Sequence, residues 1–366
     1  VYVESELARL PLFSASLNSV FLILGGLSAV PAGKLCGSLG IQRVYWLGSA
    51  GTCMGALIFL SEDALFLVGL SIGFGLATGL LVTAGHAYLM QSAPEERLGS
   101  GSAYYFLGMT LGTSLGNLLA GQLVEHGGFA LTGWALLSGT VVVLLGIAFF
   151  LPEPPGEVVP KDSEALASRG PMLWRSSVQL ILAVRFLPTC YWGTATLLVP
   201  LLVYRVTESV SWSAGYASAS LALAAGAQVL AGKWADRVGP KVPTLTASAL
   251  VAVSALGTGL FAESLLGLFV FGISGAVSAW SVSTMLPRLM SLAAGPGEKP
   301  HLVGWSHLAW SLAMVCGNLW GGFAVELHSG LPFAVVFVGC VVTVYLFSRL
   351  FQLLEAAPEP ETAPAA

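Results

Sequence analysis

Charged residues are scarce in this 366-residue chain, at 9% of the total, while 55% of the residues are hydrophobic. A mean hydropathy of +0.82 excludes a water-soluble globular protein of this length, because such a protein needs a polar surface. Apolar runs of about 18–25 residues recur, and each can cross about 30 Å of hydrocarbon as a helix. The runs lack the alternation of β-barrel strands, so we expect an all-α multi-pass membrane protein.

The sequence also lacks the motifs of catalysis and of ATP-driven pumping. It contains no Walker loop, no H-E-x-x-H pair and no Cys/His cluster. GLSIG (69–73) matches G-x-S-x-G, but it lies inside a predicted helix, whereas a nucleophile elbow needs a strand-to-helix turn. The five cysteines have no paired spacing and are expected to be apolar packing residues. We therefore expect no enzyme, no cofactor, no metal and no nucleic-acid partner.

The apolar runs predict eleven membrane spans. They lie near residues 11–33, 44–61, 65–90, 102–124, 128–151, 178–203, 211–234, 243–262, 264–287, 302–325 and 331–354. If residue 1 is outside, thirteen Lys and Arg residues lie on the cytoplasmic side and only Arg9 and Arg205 lie outside. This asymmetry follows the positive-inside rule and predicts a cytoplasmic-membrane protein with a cytoplasmic C terminus.

Two pairs of repeated segments divide the chain into halves. GNLLAG (116–121) recurs as GNLWGG (317–322), and AGKLCGSLG (32–40) recurs as AGKWADRVG (231–239). The nearly equal spacings of 201 and 199 positions indicate two homologous halves joined by a Pro-rich, charged linker. We predict an N-terminal bundle that lacks its first helix at 1–151, a cytoplasmic linker at 152–177, a six-helix bundle at 178–354 and a disordered tail at 355–366.

The loop GKWADRVGPK (232–241) resembles the signature G-x-x-x-D-R-x-G-x-K of the major facilitator superfamily. The resemblance covers the whole chain apart from a first helix, and it implies two pseudo-symmetric bundles with eleven of twelve spans present. It also implies that the loop charges hold the two halves together and bias alternating access. A loop that only follows the positive-inside rule is the alternative. The loop residues concerned are Gly232, Asp236, Arg237, Gly239 and Lys241, with Gly33, Gly40 and Arg43 in the first copy.

Three departures from the family pattern bear on the subfamily. In the first loop copy, Gly37 and Ser38 stand in place of the aspartate and the arginine. Ser71 stands where many members have an arginine in the fourth helix, and Asn117 replaces the proline of the antiporter pattern G-P-x-x-G-G. These departures weaken the prediction of a drug/proton antiporter, which stays an alternative.

The repeated hexapeptides lie in stripes of small residues that allow close helix contact. The resemblance implies that these helices lie at the domain interface and move against the opposite half. The two asparagines either form hydrogen bonds between the halves or touch solute, and a packing bond between helices away from the pathway is the alternative. The predicted interface residues are Gly108, Gly112, Gly116, Asn117, Gly121, Gly317, Asn318, Gly321 and Gly322.

Substrate contacts are sought among polar and aromatic residues at mid-span. The centres of the predicted spans contain no carboxylate, and Arg185 is expected to snorkel to the cytoplasmic surface. A neutral or amphipathic organic solute is therefore expected, with core packing as the alternative for each residue. The candidates are Tyr191, Trp192, Trp280, Ser281, Gln228, Asn18 and Trp310. His307 is the candidate proton carrier, although a histidine that faces lipid headgroups is the alternative.

Together these features predict a monomeric alternating-access secondary transporter for a small solute. Its other partners are the lipid bilayer and, if transport is coupled, protons. Besides His307, an acid in the missing first helix is then a candidate proton carrier. Multidrug-type efflux is one alternative, and a receptor that binds without flux is another.

Overall fold

The computed structural model describes residues 11–152, 171–295 and 297–356, and the regular elements of that part are all helical. This confirms the predicted all-α class. The helices are α1 (Pro11–Leu39), α2 (Ile41–Gly51), α3 (Cys53–Leu57), α4 (Ala64–Ser92), α5 (Leu98–Phe150), α6 (Ser176–Thr207), α7 (Val210–Val238), α8 (Lys241–Leu260), α9 (Leu265–Ala293), α10 (Lys299–Ala324) and α11 (Leu331–Ala356). Short 3-10 turns occupy Ile58–Leu60, Glu95–Arg97 and Met172–Trp174.

Three glycines with positive φ angles mark ends or breaks of helices. Gly40 (φ 89°) follows α1 and Gly239 (φ 84°) follows α7, at equivalent places in the two repeats. Gly128 (φ 71°) divides α5 into two arms, 98–127 and 129–150, where two separate spans were predicted. Only glycine adopts this backbone conformation without steric cost, so the sequence itself determines where these helices turn.

The second predicted span, 44–61, is not one continuous helix. Thr52 separates α2 from α3, and its hydroxyl donates a 2.6 Å hydrogen bond to Ser49 O. A side chain that bonds back to its own helix competes with the backbone pattern, which accounts for the interruption.

Eight described helices are long and apolar enough to cross a membrane, as judged by length and composition. The multi-pass class is therefore established. Three predicted spans are helical but are not among these eight helices: the second span (α2 and α3), the first arm of α5, and the span formed by α10. The total of eleven spans therefore stays a prediction.

The bundle has two ends, which we name by the linker. The linker end is where α5 stops and α6 begins, and it carries the turns at 40, 93–97, 239–240 and the described residues 294–295 and 297–298. The far end carries the turns at 61–63, 208–209, 261–264 and 325–330. Residues 153–170 of the linker and 357–366 of the tail lie outside the described residues, whereas α6 begins at Ser176 and α11 continues to Ala356.

Two helix pairs provide the main packing between the first half and the second, with smaller contacts of α10 with α4 and of α9 with α5. Helix α10 packs against α1, and α5 packs against α7. The contacts are backbone to backbone at the linker end: a Cβ added to Gly33 would lie 2.6 Å from Pro300 O, and one added to Gly232 would lie 2.6 Å from Gly99 O. These contacts occupy equivalent places in the two repeats, so the pseudo-symmetry seen in the sequence is present at the interface.

Candidate substrate cavity

A cavity of about 360 Å³ lies between the two halves, at the middle of the bundle. Helices α1, α4, α5, α6, α9 and α10 all contribute to it, so both halves form its surface. Its volume is within the range of about 300–1,000 Å³ that is usual for small-molecule sites. The carboxylate side chains of the described residues do not contribute to its lining.

Aromatic rings form one side of the cavity. Trp280 of α9 makes edge-to-face contacts with Trp192 of α6, at a centroid distance of 5.7 Å, and with Phe106 of α5, at 6.2 Å. Phe21 and Trp310 also border the cavity. Since Phe106 comes from the first half and Trp280 from the second, any movement of the halves changes this aromatic surface.

The structure places three of the seven substrate candidates in the cavity lining, namely Trp192, Trp280 and Trp310. The other four lie outside the lining. Tyr191 is fully buried in the core of the second half with its hydroxyl against Gly275. Ser281 donates to Val277 O at 2.8 Å, which satisfies its hydroxyl within α9.

The remaining two candidates are also placed away from the cavity. Gln228 is fully buried and accepts a 3.2 Å hydrogen bond from Thr110 Oγ1 across the α5–α7 contact, which makes it a residue of the interface between halves. Asn18 of α1 is exposed and does not contribute to the lining. The direction in which each residue points around its helix decides whether its side chain faces the cavity. A list of polar residues at mid-span does not contain these directions.

Arg185 is the main correction to the sequence analysis. The expectation that it snorkels to the surface is wrong, because its side chain borders the cavity and the residue is only 8% exposed. Its Nη1 donates to Ser283 Oγ at 3.3 Å. Helix α6 begins at Ser176, nine residues earlier, so Arg185 lies about 14 Å along the helix from its start.

His86 and His307 lie beside Arg185 at the linker end of the cavity. Each is 6% exposed, and both border a small void together with Arg185 and Ser283. The ring of His307 stacks on Trp310 at a centroid distance of 5.3 Å. The alternative of a headgroup-facing His307 is therefore wrong. Its role in proton coupling stays a prediction.

Asp236 bridges the two halves at the linker end. Its Oδ1 and Oδ2 accept hydrogen bonds from the backbone N–H groups of Gly99 (3.0 Å) and Ser100 (2.9 Å), at the start of α5. Arg288 Nη1 lies 3.5 Å from Asp236 Oδ1 and also donates to Ala235 O at 3.1 Å. A carboxylate at the N-terminus of a helix is stabilised by the free N–H groups and by the helix dipole. This is the contact between halves that the family resemblance implied for the loop.

The other predicted loop residues take different positions. Lys241 pairs with Glu355 of the same half at 2.9 Å, and Arg237 is exposed. In the first copy, Arg43 is exposed. Gly37, which stands in place of the aspartate, has no neighbouring atom within 4 Å of its Cβ position among the described residues. Only the second copy therefore places a carboxylate on a helix of the opposite half.

The two glycine stripes behave differently from the expectation. Within the described residues, Gly108, Gly112, Gly116 and Gly322 have no atom within 4 Å of an added Cβ. Gly317 and Gly321 pack on α6, where Thr194 Oγ1 donates to Gly317 O at 2.9 Å.

The second stripe therefore contacts its own half in this state, and not the opposite one as expected. Asn318 is half-buried, and the side chain of Asn117 and the burial of Gly121 are outside what the structure describes.

Besides Gly33 and Gly232, further close contacts between halves come from glycines that the sequence analysis did not single out. A Cβ on Gly304 of α10 would lie 2.3 Å from Ala29 O, and one on Gly26 of α1 would lie 2.6 Å from Ser311 Cβ. Together with Gly33, they form the α1–α10 contact from the linker end to the cavity. The seven-residue spacing of Gly26 and Gly33 was a visible signal, but no repeat directed attention to it.

Two helical halves around a central cavity, closed at one end by contacts between the halves, define a multi-pass membrane transporter. The family model of the Major Facilitator Superfamily matches residues 11–315, and the chain belongs to that family. The comparison confirms the family resemblance and supports secondary transport, and it leaves the subfamily open.

Similar proteins include both a curated relative and solved structures. Enterobactin exporter EntS of Citrobacter koseri is 26% identical over 338 residues, which is 87% of this chain and 77% of that protein. The proton:xylose symporter XylE superposes with a TM-score of 0.80 at 13% identity, covering 95% of this chain and 90% of that one. The human organic anion transporter MFSD10 superposes with a TM-score of 0.77 at 19% identity, covering 90% and 82%. At these identities the structural likeness concerns the fold alone.

Proposed function

We propose that this protein moves a small organic solute across the membrane by alternating access, and that the described structure is the state closed at the linker end. The single observation that carries this is the position of the cavity. It lies between the halves and is separated from the linker end by the Gly33–Pro300, Gly232–Gly99 and Asp236–Ser100 contacts. Breaking these contacts while the halves rock about the cavity would expose the solute to the other side.

The linker end is the cytoplasmic end in this proposal. The Lys and Arg asymmetry of the sequence supports this orientation, because the basic residues lie in and beside the turns of that end. The protein would then lie in the cytoplasmic membrane, with an N-terminal bundle, a cytoplasmic linker and a C-terminal bundle.

The cavity lining supports an amphipathic solute. Five aromatic rings provide apolar contact area, and a small group of polar side chains lies at one end of the cavity. The neutral character expected from the sequence rested on the lack of charge at mid-span. The buried Arg185 side chain beside the cavity contradicts that premise, so the solute need not be neutral.

Export is the second candidate for the direction of transport, and one specific observation favours it. The curated relative that aligns with most of this chain is described as an exporter. Against this stand the sequence departures at Ser71 and Asn117 from the drug-antiporter pattern. Import and export share the same cavity and the same closed end, so a flux measurement in both directions separates them.

Solute flux in liposomes tests the proposal. The full-length protein is reconstituted with an internal pH dye and offered pooled neutral, anionic and cationic amphipathic solutes from each side. We expect flux of at least one pool, reduced by Trp280→Ala and unchanged by Trp174→Ala, whose indole is 79% exposed and outside the cavity. Binding of a solute without flux in either direction would contradict transport and favour the receptor. A pH change that accompanies flux would add proton coupling.

A further inference from the structure

Arg185 brings an arginine into the interior of the bundle, and its charge needs a partner there. Moving a charged group out of water into a medium of low dielectric costs several kcal/mol unless an opposite charge compensates it. Two described carboxylates at the linker end are engaged elsewhere: Asp236 lies against Arg288, and Glu298 forms an ion pair with Arg175. The described lining therefore contains the Arg185 side chain and no carboxylate to compensate its charge.

We propose that the solute is an organic anion and that the Arg185 guanidinium binds its carboxylate. This inference rests on the proposed transport function, since it names the class of solute that the same cavity accepts. It assigns to Arg185 the specificity for charge and to the aromatic rings the affinity for the body of the solute.

The hydrogen-bonding state of Arg185 is the first line of support. Its Nη1 is held by Ser283, but its buried Nε has no hydrogen-bond partner among the described residues. A guanidinium offers five N–H donors in a planar fork that matches the two oxygens of a carboxylate. Ser283 therefore orients the fork, and at least one donor stays available to a ligand.

Other unpartnered polar atoms in the lining form the second line of support. Within the described residues, Trp280 Nε1, Ser311 Oγ and His86 Nε2 are buried and have no partner. An indole N–H can only donate, and a hydroxyl or an imidazole N–H can do so. Buried donors that lack acceptors carry a cost of about 1–3 kcal/mol each, which a ligand rich in acceptor oxygens would remove. Trp280 Nε1 in particular can be satisfied only by an acceptor, which the oxygens of an anion supply.

The aromatic rings restrict the rest of the solute. Trp192, Trp280 and Phe106 present faces and edges within the same cavity, and Trp310 stacks on His307 on the other side of it. Rings at these positions favour a flat apolar body beside the carboxylate. An aromatic carboxylate therefore combines the two features that the lining selects.

Matched probes of equal shape and different charge test the assignment. Full-length protein purified in detergent is titrated with 2-naphthoate, with the neutral 2-naphthamide and with cationic 2-naphthylmethylammonium, and a benzene series repeats the comparison. Calorimetry gives the dissociation constants. We expect the carboxylates to bind at least tenfold more tightly than the amides and more tightly still than the ammonium compounds.

Variants of two arginines on the same helix provide the control. Arg185→Gln should weaken carboxylate binding at least tenfold while leaving amide binding within twofold. Arg205→Gln should leave both unchanged, since Arg205 lies at the far end of α6 and pairs with Glu326 outside the cavity. If Arg185→Gln does not fold, Arg185→Lys retains the charge without the planar fork, and we expect an intermediate loss.

Three results would overturn the proposal. The first is an amide or ammonium probe that binds as tightly as its carboxylate. The second is an Arg185→Gln protein that keeps the affinity of the wild type for carboxylates. The third is folded wild-type protein that binds no carboxylate of either series at millimolar concentration. Flux of a neutral solute together with the third result would leave transport standing, whereas carboxylate binding without any flux would contradict transport and support the anion site.

Discussion

The carboxylate of Asp236 and the backbone amide of Ser100 lie 2.9 Å apart, although the residues belong to opposite halves of the chain. This bond, with its neighbour to Gly99, attaches the end of α7 to the first turn of α5. Because an alternating-access cycle must break it, its strength sets part of the balance between the state closed at the linker end and the open state.

We expect Asp236→Asn to shift the protein toward the state open at the linker end. The substitution removes the ion pair with Arg288 and the charge on two hydrogen bonds, which together are worth about 1.5 kcal/mol after allowance for partial exposure, or roughly a tenfold change in populations. Labelling of Ser306→Cys in a cysteine-free background measures the opening, since Ser306 is 4% exposed at the linker end of the cavity.

The control for this prediction is Asp63→Asn, which removes the charge from a similar N-terminal helix cap at the far end, where Asp63 Oδ1 accepts from Phe66 N at 2.8 Å. It should leave labelling of residue 306 unchanged. Equal labelling in Asp236→Asn and wild type would show that the Asp236 contact does not hold the halves together.

Gly37→Asp should have the opposite effect. Position 37 is equivalent to Asp236, and space is available for its side chain. A carboxylate there can meet the start of α10, as Asp236 meets the start of α5. Gly37→Asp should stabilise the closed state by less than Asp236 does, because Pro300, at the position equivalent to Gly99, has no N–H to donate. We expect labelling at residue 306 to slow by about two- to fivefold, or about 0.5–1 kcal/mol.

Gly37→Asn separates charge from bulk in that experiment. If the asparagine variant slows labelling as much as the aspartate variant, a steric effect explains the result and the charge plays no part.

Gly304→Ala should force the two halves apart at the α1–α10 contact. The added methyl would lie 2.3 Å from Ala29 O, a backbone atom that cannot rotate away. We expect faster labelling at residue 306 and a lower unfolding temperature. Gly112→Ala is the matched control, because no described atom lies within 4 Å of its Cβ position, so the general gain of about 0.5–1 kcal/mol for alanine over glycine in a helix should dominate there. Similar destabilisation by both variants would contradict the close contact.

Trp280→Phe should lower solute affinity without removing the aromatic surface. The substitution keeps a ring against Trp192 and Phe106 but deletes the buried Nε1–H, which has no partner among the described residues. Loss of one hydrogen bond to solute is worth about 0.5–1.5 kcal/mol, which corresponds to roughly a two- to tenfold rise in the dissociation constant. Titration with the solute identified by flux, or with 2-naphthoate, measures the change. An unchanged constant would mean that Trp280 contributes only apolar contact.

The sequence by itself determined the class of the protein, the family and the pseudo-symmetry. Long apolar runs admit only helices in a membrane, because backbone N–H and C=O groups have no water to bond there. Gly40, Gly128 and Gly239 then mark where those helices end or break. The repeat spacing placed Gly33 and Gly232 in equivalent roles, and the structure gives both a backbone contact with the opposite half.

Only the tertiary structure decided which side chains meet in the cavity. Tyr191 and Trp192 are adjacent in sequence, yet one lies in the core of its own half and the other borders the cavity, since successive helical residues point about 100° apart. Arg185, His86 and His307 lie on three different helices. From the sequence alone, each is predicted to be a basic residue near the membrane surface. Their convergence depends on how α4, α6 and α10 cross, and helix crossing arises from packing between segments that are distant in sequence.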